Sequence, residues 1–380
     1  MHIAFLTPEY PHPRTGNSGG IGTSIKNLAS GLLAEGCSVR VLVYGQKEEG
    51  TFDDNGICIQ QIRNVKLKGL SWYLTRKKLQ KIIDNLYTNK EIDLVEAPDW
   101  TGITSFIAPK KCPIVIRLNG SDTYFCHLDQ RPVKWKNKFH EKRALQKADG
   151  LLSVSQFTAD KTNNVFGLNK KFNIIPNSID IHLFNKNKEY VQNNTILYFG
   201  SLIRKKGLLE LPFIFNEVIK ENPAAKLILV GRDVPDVISG NSSTWQMMQV
   251  LFTPEALAGT TYLGGVPYQE IKRHVSESTV CVFPSFAEAL PVSWIEAMAL
   301  QKPIVASNIG WAKEVIDDGV NGFLVNPGNH LEYAKRIIEL LENENLQKKF
   351  GAEARNKVNK KFGIETVAKQ SLLFYKTLIN

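Results

Sequence analysis

The sequence predicts an α/β protein of two doubly wound, parallel-sheet domains, and three observations carry the prediction. Short apolar, β-branched runs alternate with helical ones along the whole chain, and glycines recur just past those runs. The chain's 380 residues are enough for two domains that each bury a core. Hydrophobic residues make up 43% and charged residues 22%, a globular composition.

In the first half, a strand-like run from His2 to Leu6 precedes a glycine loop and a helix that opens at Thr23 or Ser24 and runs to Glu35. Ser38 to Tyr44 reads as the next strand, another ends at Leu94 and Val95, and Pro113 to Leu118 is a further one. The turn-rich segment "IIPNSID" closes this half, and the lysine-asparagine run that follows, within residues 173–194, is the expected linker. The second half repeats the scheme: strand Thr195 to Phe199, helix Leu208 to Glu221, strand Lys226 to Val230, then Thr261 and Tyr262. Thr279 to Phe283 is a strand, Pro291 to Leu300 a helix with proline in its first turn, and Pro303 to Ala306 a strand again. The tail from Phe362 reads as a separate amphipathic helix. The expected domains are 1–185 and 186–361, with 362–380 as a closing helix.

No apolar run approaches the roughly 20 residues of a membrane span. The start "MHIAFLTPEY" is a short strand with no charged leader, so the expectation is a cytoplasmic protein. Five cysteines without a C-x-x-C pair suggest neither a disulfide framework nor a zinc site. The formal charge of +10 is uneven: residues 1–185 hold 25 Lys and Arg against 17 Asp and Glu, the remainder 22 against 20. Two basic segments with interleaved aromatics, residues 66–83 and 131–147, supply much of the excess. They suit an anionic membrane surface, an acidic substrate or nucleic acid, or simply a solvated helix face.

Three features point to a phosphate-bearing ligand at the C-terminal ends of the strands, where open α/β sheets bind. The loop with Gly16, Gly19, Gly20 and Gly22 precedes a helix, the arrangement that lets backbone amides approach an anion. After Gly200, the loop with Arg204, Lys205 and Lys206 offers cations to a departing diphosphate. Glu288 lies in a loop leaving a strand, and Glu296 sits in an otherwise apolar helix, where a carboxylate needs a donor. That donor is a basic side chain, a backbone amide or a ligand hydroxyl such as those of a ribose. Gly231, Gly264 and Gly265 again follow strands. A nicotinamide-dependent oxidoreductase would need G-x-G-x-x-G, which neither half has. Nucleic-acid binding rests on charge alone, and a sugar-nucleotide epimerase of similar shape would act without an acceptor.

The pair Glu288 and Glu296 in "FAEALPVSWIEAMA" resembles the E-x7-E motif of retaining glycosyltransferases of family 4. The resemblance extends over nearly the whole chain, through "GGIG", "IIPNSID", "GSLIRKKG", "YLGGVP" and "IGWAKEVIDDGVNGFLV" in the family's order. It implies a GT-B fold, with two Rossmann-like domains facing a central cleft and a last helix crossing back to the first. It also implies transfer of a hexosyl group from a nucleotide-diphosphate sugar to a glycan or lipid-linked acceptor, by front-side displacement and without cofactor or metal. No D-x-D occurs in the chain. Carried over by position, Glu288 holds the donor sugar, Lys206 meets the leaving diphosphate and Glu296 binds the ribose. Gly20, Gly22, Gly200, Gly231, Val266, Ala289 and Leu290 complete the donor site. The motif's arginine falls on Ser201, so Arg204 is the expected substitute; Asn119 stands where the family often has histidine. Asp99, Trp100 and Asp122 are the acceptor candidates, and the basic first domain suits peripheral contact with an anionic membrane.

Overall fold

The computed structural model describes residues 1–16, 18–184 and 192–379. The chain forms two compact units, Met1–Ile179 with Lys361–Asn380, and Asp180–Lys360. The expected lysine-asparagine linker and the boundary at 185 fall on 185–191, outside the described residues.

The first unit is built on eight strands: β1 (His2–Thr7), β2 (Ser38–Tyr44), β3 (Gly50–Asp54), β4 (Ile57–Ile62), β5 (Leu94–Pro98), β6 (Ile114–Leu118), β7 (Gly150–Ser153) and β8 (Asn173–Ile174). Their order is β3-β4-β2-β1-β5-β6-β7-β8. Every pairing is parallel except β3–β4, which the alternation of strands and helices did not predict. Its signal was present as Asn55-Gly56, whose positive φ values of 55° and 87° make the tight turn of a two-residue hairpin. The second unit holds β9 (Thr195–Phe199), β10 (Lys226–Val230), β11 (Thr260–Tyr262), β12 (Val280–Phe283), β13 (Ile304–Ser307) and β14 (Phe323–Val325), all parallel, in the order β11-β10-β9-β12-β13-β14. The inner strands β5, β6, β9 and β12 are buried along their whole length, because helices cover both faces of a parallel sheet.

Several boundaries differ from the sequence expectation. The first helix starts at Gly20 rather than Thr23, since Gly19 is already extended at its N-cap and no side-chain cap fixes a later start. Strand β5 begins rather than ends at Leu94, and it continues through the charged Glu96 because that carboxylate has a buried partner. Leu208 lies outside its helix, which opens at Leu211 after a 3-10 turn at Arg204–Lys206. Pro291 caps the Val292–Ala299 helix from outside instead of occupying its first turn.

The closing helix, Ile364–Ile379, packs on the Gly20–Ala34 helix in the first unit. Gly31 permits the close approach: a Cβ there would lie 2.9 Å from both Ala368 Cβ and Ile364 Cγ1. Arg117 on β6 and Glu96 on β5 form a buried ion pair at 2.7 Å, and Tyr375 of the closing helix donates to Glu96 Oε2 at 2.6 Å. Among the described residues no helix is long and apolar enough to cross a membrane.

Candidate active site

In the second sheet the strand order reverses between β9 and β12, so the loops after these two strands flank the crevice where doubly wound sheets take ligands. The loop after β9 carries Arg204 and Lys206; the loop after β12 carries Glu288, Ala289 and Leu290 and leads to the helix containing Glu296. Backbone bonds lace the loops together, Phe286 N and Ala287 N donating to Lys205 O at 2.8 and 3.2 Å. Only glycine fits at 207, where φ is 73° and a Cβ would stand 1.8 Å from Pro284 O. The lacing sets Lys206 Nζ 3.3 Å from Glu288 Oε1, and Ser285 Oγ donates to the same oxygen at 3.4 Å.

Glu296 is 6% exposed, and its donor is the hydroxyl of Tyr268, 2.5 Å from Oε1. Burial raises its pKa above the ordinary carboxylate value, opposed by the Tyr268 hydrogen bond and by the charges of Lys206 and Lys272. A tyrosine was not among the donors expected from the sequence, since nothing in the spacing of 28 residues announces the contact. Arg204 is committed to a clasp: Nε and Nη2 donate to Asp236 at 2.9 and 2.7 Å, holding that carboxylate well below its usual range. Gly231 follows β10, and the approach it permits is of backbone to backbone, as a Cβ there would be 1.8 Å from Gly200 O. Val266 is half-buried in the loop between β11 and the Tyr268–Glu277 helix.

The first sheet reverses between β1 and β5, and its candidates lie after those strands and after β6. Gly20 and Gly22 open the first helix, and Glu9 supplies the anion that meets it, accepting from Gly22 N at 3.0 Å. Asp99 follows β5 and accepts from Asn119 N at 2.9 Å, which fixes the loop after β6. Trp100 starts a 3-10 turn, and Asp122 occupies the first turn of the Asp122–Leu128 helix, accepting from Asn137 Nδ2 at 2.9 Å. Glu141, fully buried, ties these loops by accepting from Thr101 N, Asp122 N and Thr123 N at 3.0–3.1 Å.

Two family models divide the chain between them, "Glycosyltransferase Family 4" over residues 18–183 and "Glycosyl transferases group 1" over residues 180–357. The chain belongs to glycosyltransferase family 4. An uncharacterized glycosyltransferase of Methanocaldococcus jannaschii is 23% identical over 91% of each chain. The fold matches that of sucrose-phosphate synthase from Thermosynechococcus elongatus, with a TM-score of 0.78, 18% identity and coverage of 100% and 99%. Anabaena Alr3699/HepE, solved in complex with UDP-glucose, matches with a TM-score of 0.74, 21% identity and coverage of 100% and 99%. The glycosyltransferase therefore has the GT-B fold.

Within this glycosyltransferase Asp99 is distinctive. Its side chain is 1% exposed, Oδ2 is buried without a partner, and burial pushes its pKa up to about 7, with the Asn119 amide opposing and Glu141 adding to the rise. The native state therefore holds a proton that the unfolded chain has lost above about pH 4, so the Asp99 contribution to stability falls as pH rises from about 4 to about 7. Asp99→Asn keeps the acceptor for Asn119 N and removes the charge. Urea midpoints of the variant are expected to fall less steeply than wild type between about pH 5 and about pH 7, with Glu141, also raised by burial, supplying the residual slope. Parallel curves would remove Asp99 from the account.

Proposed function

We propose that this glycosyltransferase is a retaining, metal-independent hexosyltransferase that moves a sugar from a nucleotide diphosphate to a hydroxyl of a glycan or lipid-linked acceptor. The observation that carries this reading is the Lys206–Glu288 pair at the β9/β12 reversal, with the buried Glu296 eight residues beyond Glu288. Lys206 neutralises the diphosphate, and Glu288 accepts from hydroxyls of the donor sugar. Glu296 already takes Tyr268 on Oε1, and its Oε2 accepts from the ribose. The amide of Leu290 lies along the diphosphate, and Ala289, Val266, Gly200 and Gly231 shape the rest of the donor site; the Gly22 amide, already held by Glu9, serves the start of its own helix. With Nε and Nη2 held by Asp236, Arg204 reaches a phosphate through Nη1.

In the transfer, the bond from the anomeric carbon to the phosphate oxygen breaks and the bond to the acceptor oxygen forms on the same face. The acceptor's proton passes to the leaving phosphate, so no second carboxylate is required. Asn119 holds a sugar hydroxyl and Trp100 and Asp122 orient the acceptor, whereas Asp99, buried beneath the surface, does not meet the acceptor and instead fixes the Asn119 amide. The UDP-glucose of the Anabaena complex supports a nucleotide-sugar donor. The charge excess of the first half supports an acceptor presented at an anionic membrane face, with peripheral attachment from the cytoplasm, in cell-surface polysaccharide or glycoconjugate synthesis.

Calorimetric titration of UDP, GDP, ADP and NAD into wild type and Glu296→Ala tests the reading. One nucleoside diphosphate is expected to bind, and to bind about 10–100-fold more weakly to the variant, the worth of a hydrogen bond to a charged group. If NAD binds and none of the diphosphates does, the chain uses a nicotinamide cofactor and the transferase proposal fails.

A further inference from the structure

The Ser71–Thr88 and Trp135–Lys147 helices, with the turn that follows β5, line an open pocket of ≈ 720 Å³ in the first unit. That volume suits a small organic ligand. Arg76 lies in its wall and is 8% exposed. Its Nη1 donates to Trp72 O at 3.0 Å and Nη2 to Gly102 O at 3.4 Å, while Nε is buried with no hydrogen-bond partner. Among the described residues no carboxylate is paired with it, and its guanidinium carbon lies 5.6 Å from the centroid of the Trp72 ring. A buried guanidinium without an anion is costly, and a pocket opening onto it offers the place for one.

The remaining wall is aromatic. Trp72 packs against Phe106 and His140 at centroid distances of 5.7 and 5.2 Å, and Phe139 against His140 at 5.3 Å. Trp72, Phe139 and Trp135 nonetheless stay 45%, 48% and 72% exposed, so their faces offer uncovered apolar area. Thr101 and Phe106, which also line the pocket, hold φ values of 54° and 65°. A β-branched and an aromatic residue kept in the left-handed region cost on the order of 1 kcal/mol each, a strain that clusters at ligand sites.

We propose that this pocket binds a phosphate-bearing amphiphile, with the phosphate on Arg76 and the alkyl chain against Trp72, Trp135 and Phe139. The proposal deepens the transferase reading by naming the acceptor class as a lipid phosphate; it rests on that reading for the ligand's role and not for its binding. The ligand's anion compensates the guanidinium, and its chain covers rings that otherwise face water.

Calorimetry of the full chain with octyl phosphate, inorganic phosphate and octyl glucoside, each below its micellar concentration, separates charge from chain. Octyl phosphate is expected to bind at least about tenfold more tightly than either alternative, the lower end of what one charge-assisted hydrogen bond or one buried ring face supplies. Arg76→Gln should bring octyl phosphate to the octyl glucoside level. Trp135→Ser combined with Phe139→Ser, which alters only exposed positions, should bring it to the inorganic phosphate level. Equal binding of octyl phosphate and either control, or an unchanged affinity in the double serine variant, overturns the proposal. Binding of the nucleoside diphosphate, measured on the same samples, reports on the second unit. Its absence from wild type defeats the transferase reading and leaves the pocket result standing.

Discussion

Arg117→Met is expected to destabilise the first unit by about 3–5 kcal/mol, the cost of removing one partner of a buried ion pair. The guanidinium is 5% exposed and gives Nε and Nη2 to the two Glu96 oxygens at 2.7 and 3.2 Å. Nη1 donates to Ile175 O at 3.0 Å and Nη2 also to Ser371 Oγ at 3.3 Å. Methionine retains most of the stem and strands Glu96, 3% exposed, with the Tyr375 hydroxyl alone. Because Ser371 and Tyr375 belong to the closing helix, the same loss loosens that helix from the sheet. The variant should show a lower urea midpoint and faster proteolytic removal of the closing helix. Adding Glu96→Gln should recover part of the loss, since the neutral amide still accepts from Tyr375 and no longer buries a charge. Strictly additive single-variant costs would show that the two groups are not coupled.

Lys206→Ala is expected to lower kcat by about 10²–10³-fold with a smaller change in KM for the donor. In the proposed transfer, charge accumulates on the diphosphate as its bond to the sugar breaks, so a cation fixed beside it would stabilise the transition state more than the bound donor. The position is fixed before substrate arrives: Lys206 ends the 3-10 turn, Gly207 seats that turn on Pro284, and Glu288 holds the ammonium at 3.3 Å. Lys206→Arg should retain an intermediate rate, as it keeps the charge with different geometry. Turnover of Lys206→Ala within about threefold of wild type, measured as release of the nucleoside diphosphate, would place the leaving-group cation elsewhere.

Much of the candidate site in the second unit was legible in the sequence because its pieces are local. Strand, glycine, basic turn and helix follow one another within about a dozen residues from Tyr198 to Leu211, and Glu288 and Glu296 lie on one strand-loop-helix unit. Arg204 shows the limit of such reading. Its place in the basic loop suggested phosphate, and its nearest anion is Asp236, 32 residues further on in a loop that follows the neighbouring strand. The first unit was less legible still. Asp99 and Asp122 were visible as acids after strands, whereas Glu141, which organises both loops, is a single glutamate in a basic helix that reads as solvated surface.

The amino-acid sequence by itself determined the alternation of strands and helices, and with it two parallel sheets, because hydrophobic period and glycine placement act over a few residues. It also determined which loops carry charge at the strand ends. Only the tertiary structure decided which carboxylate meets which partner: buried Glu296 with Tyr268, part-buried Glu9 with the amide of Gly22, and buried Glu96 with Tyr375 across 279 residues. The physical reason is that a buried charge takes whatever donor the folded path of the chain brings within about 3 Å, and the order of residues does not encode that separation.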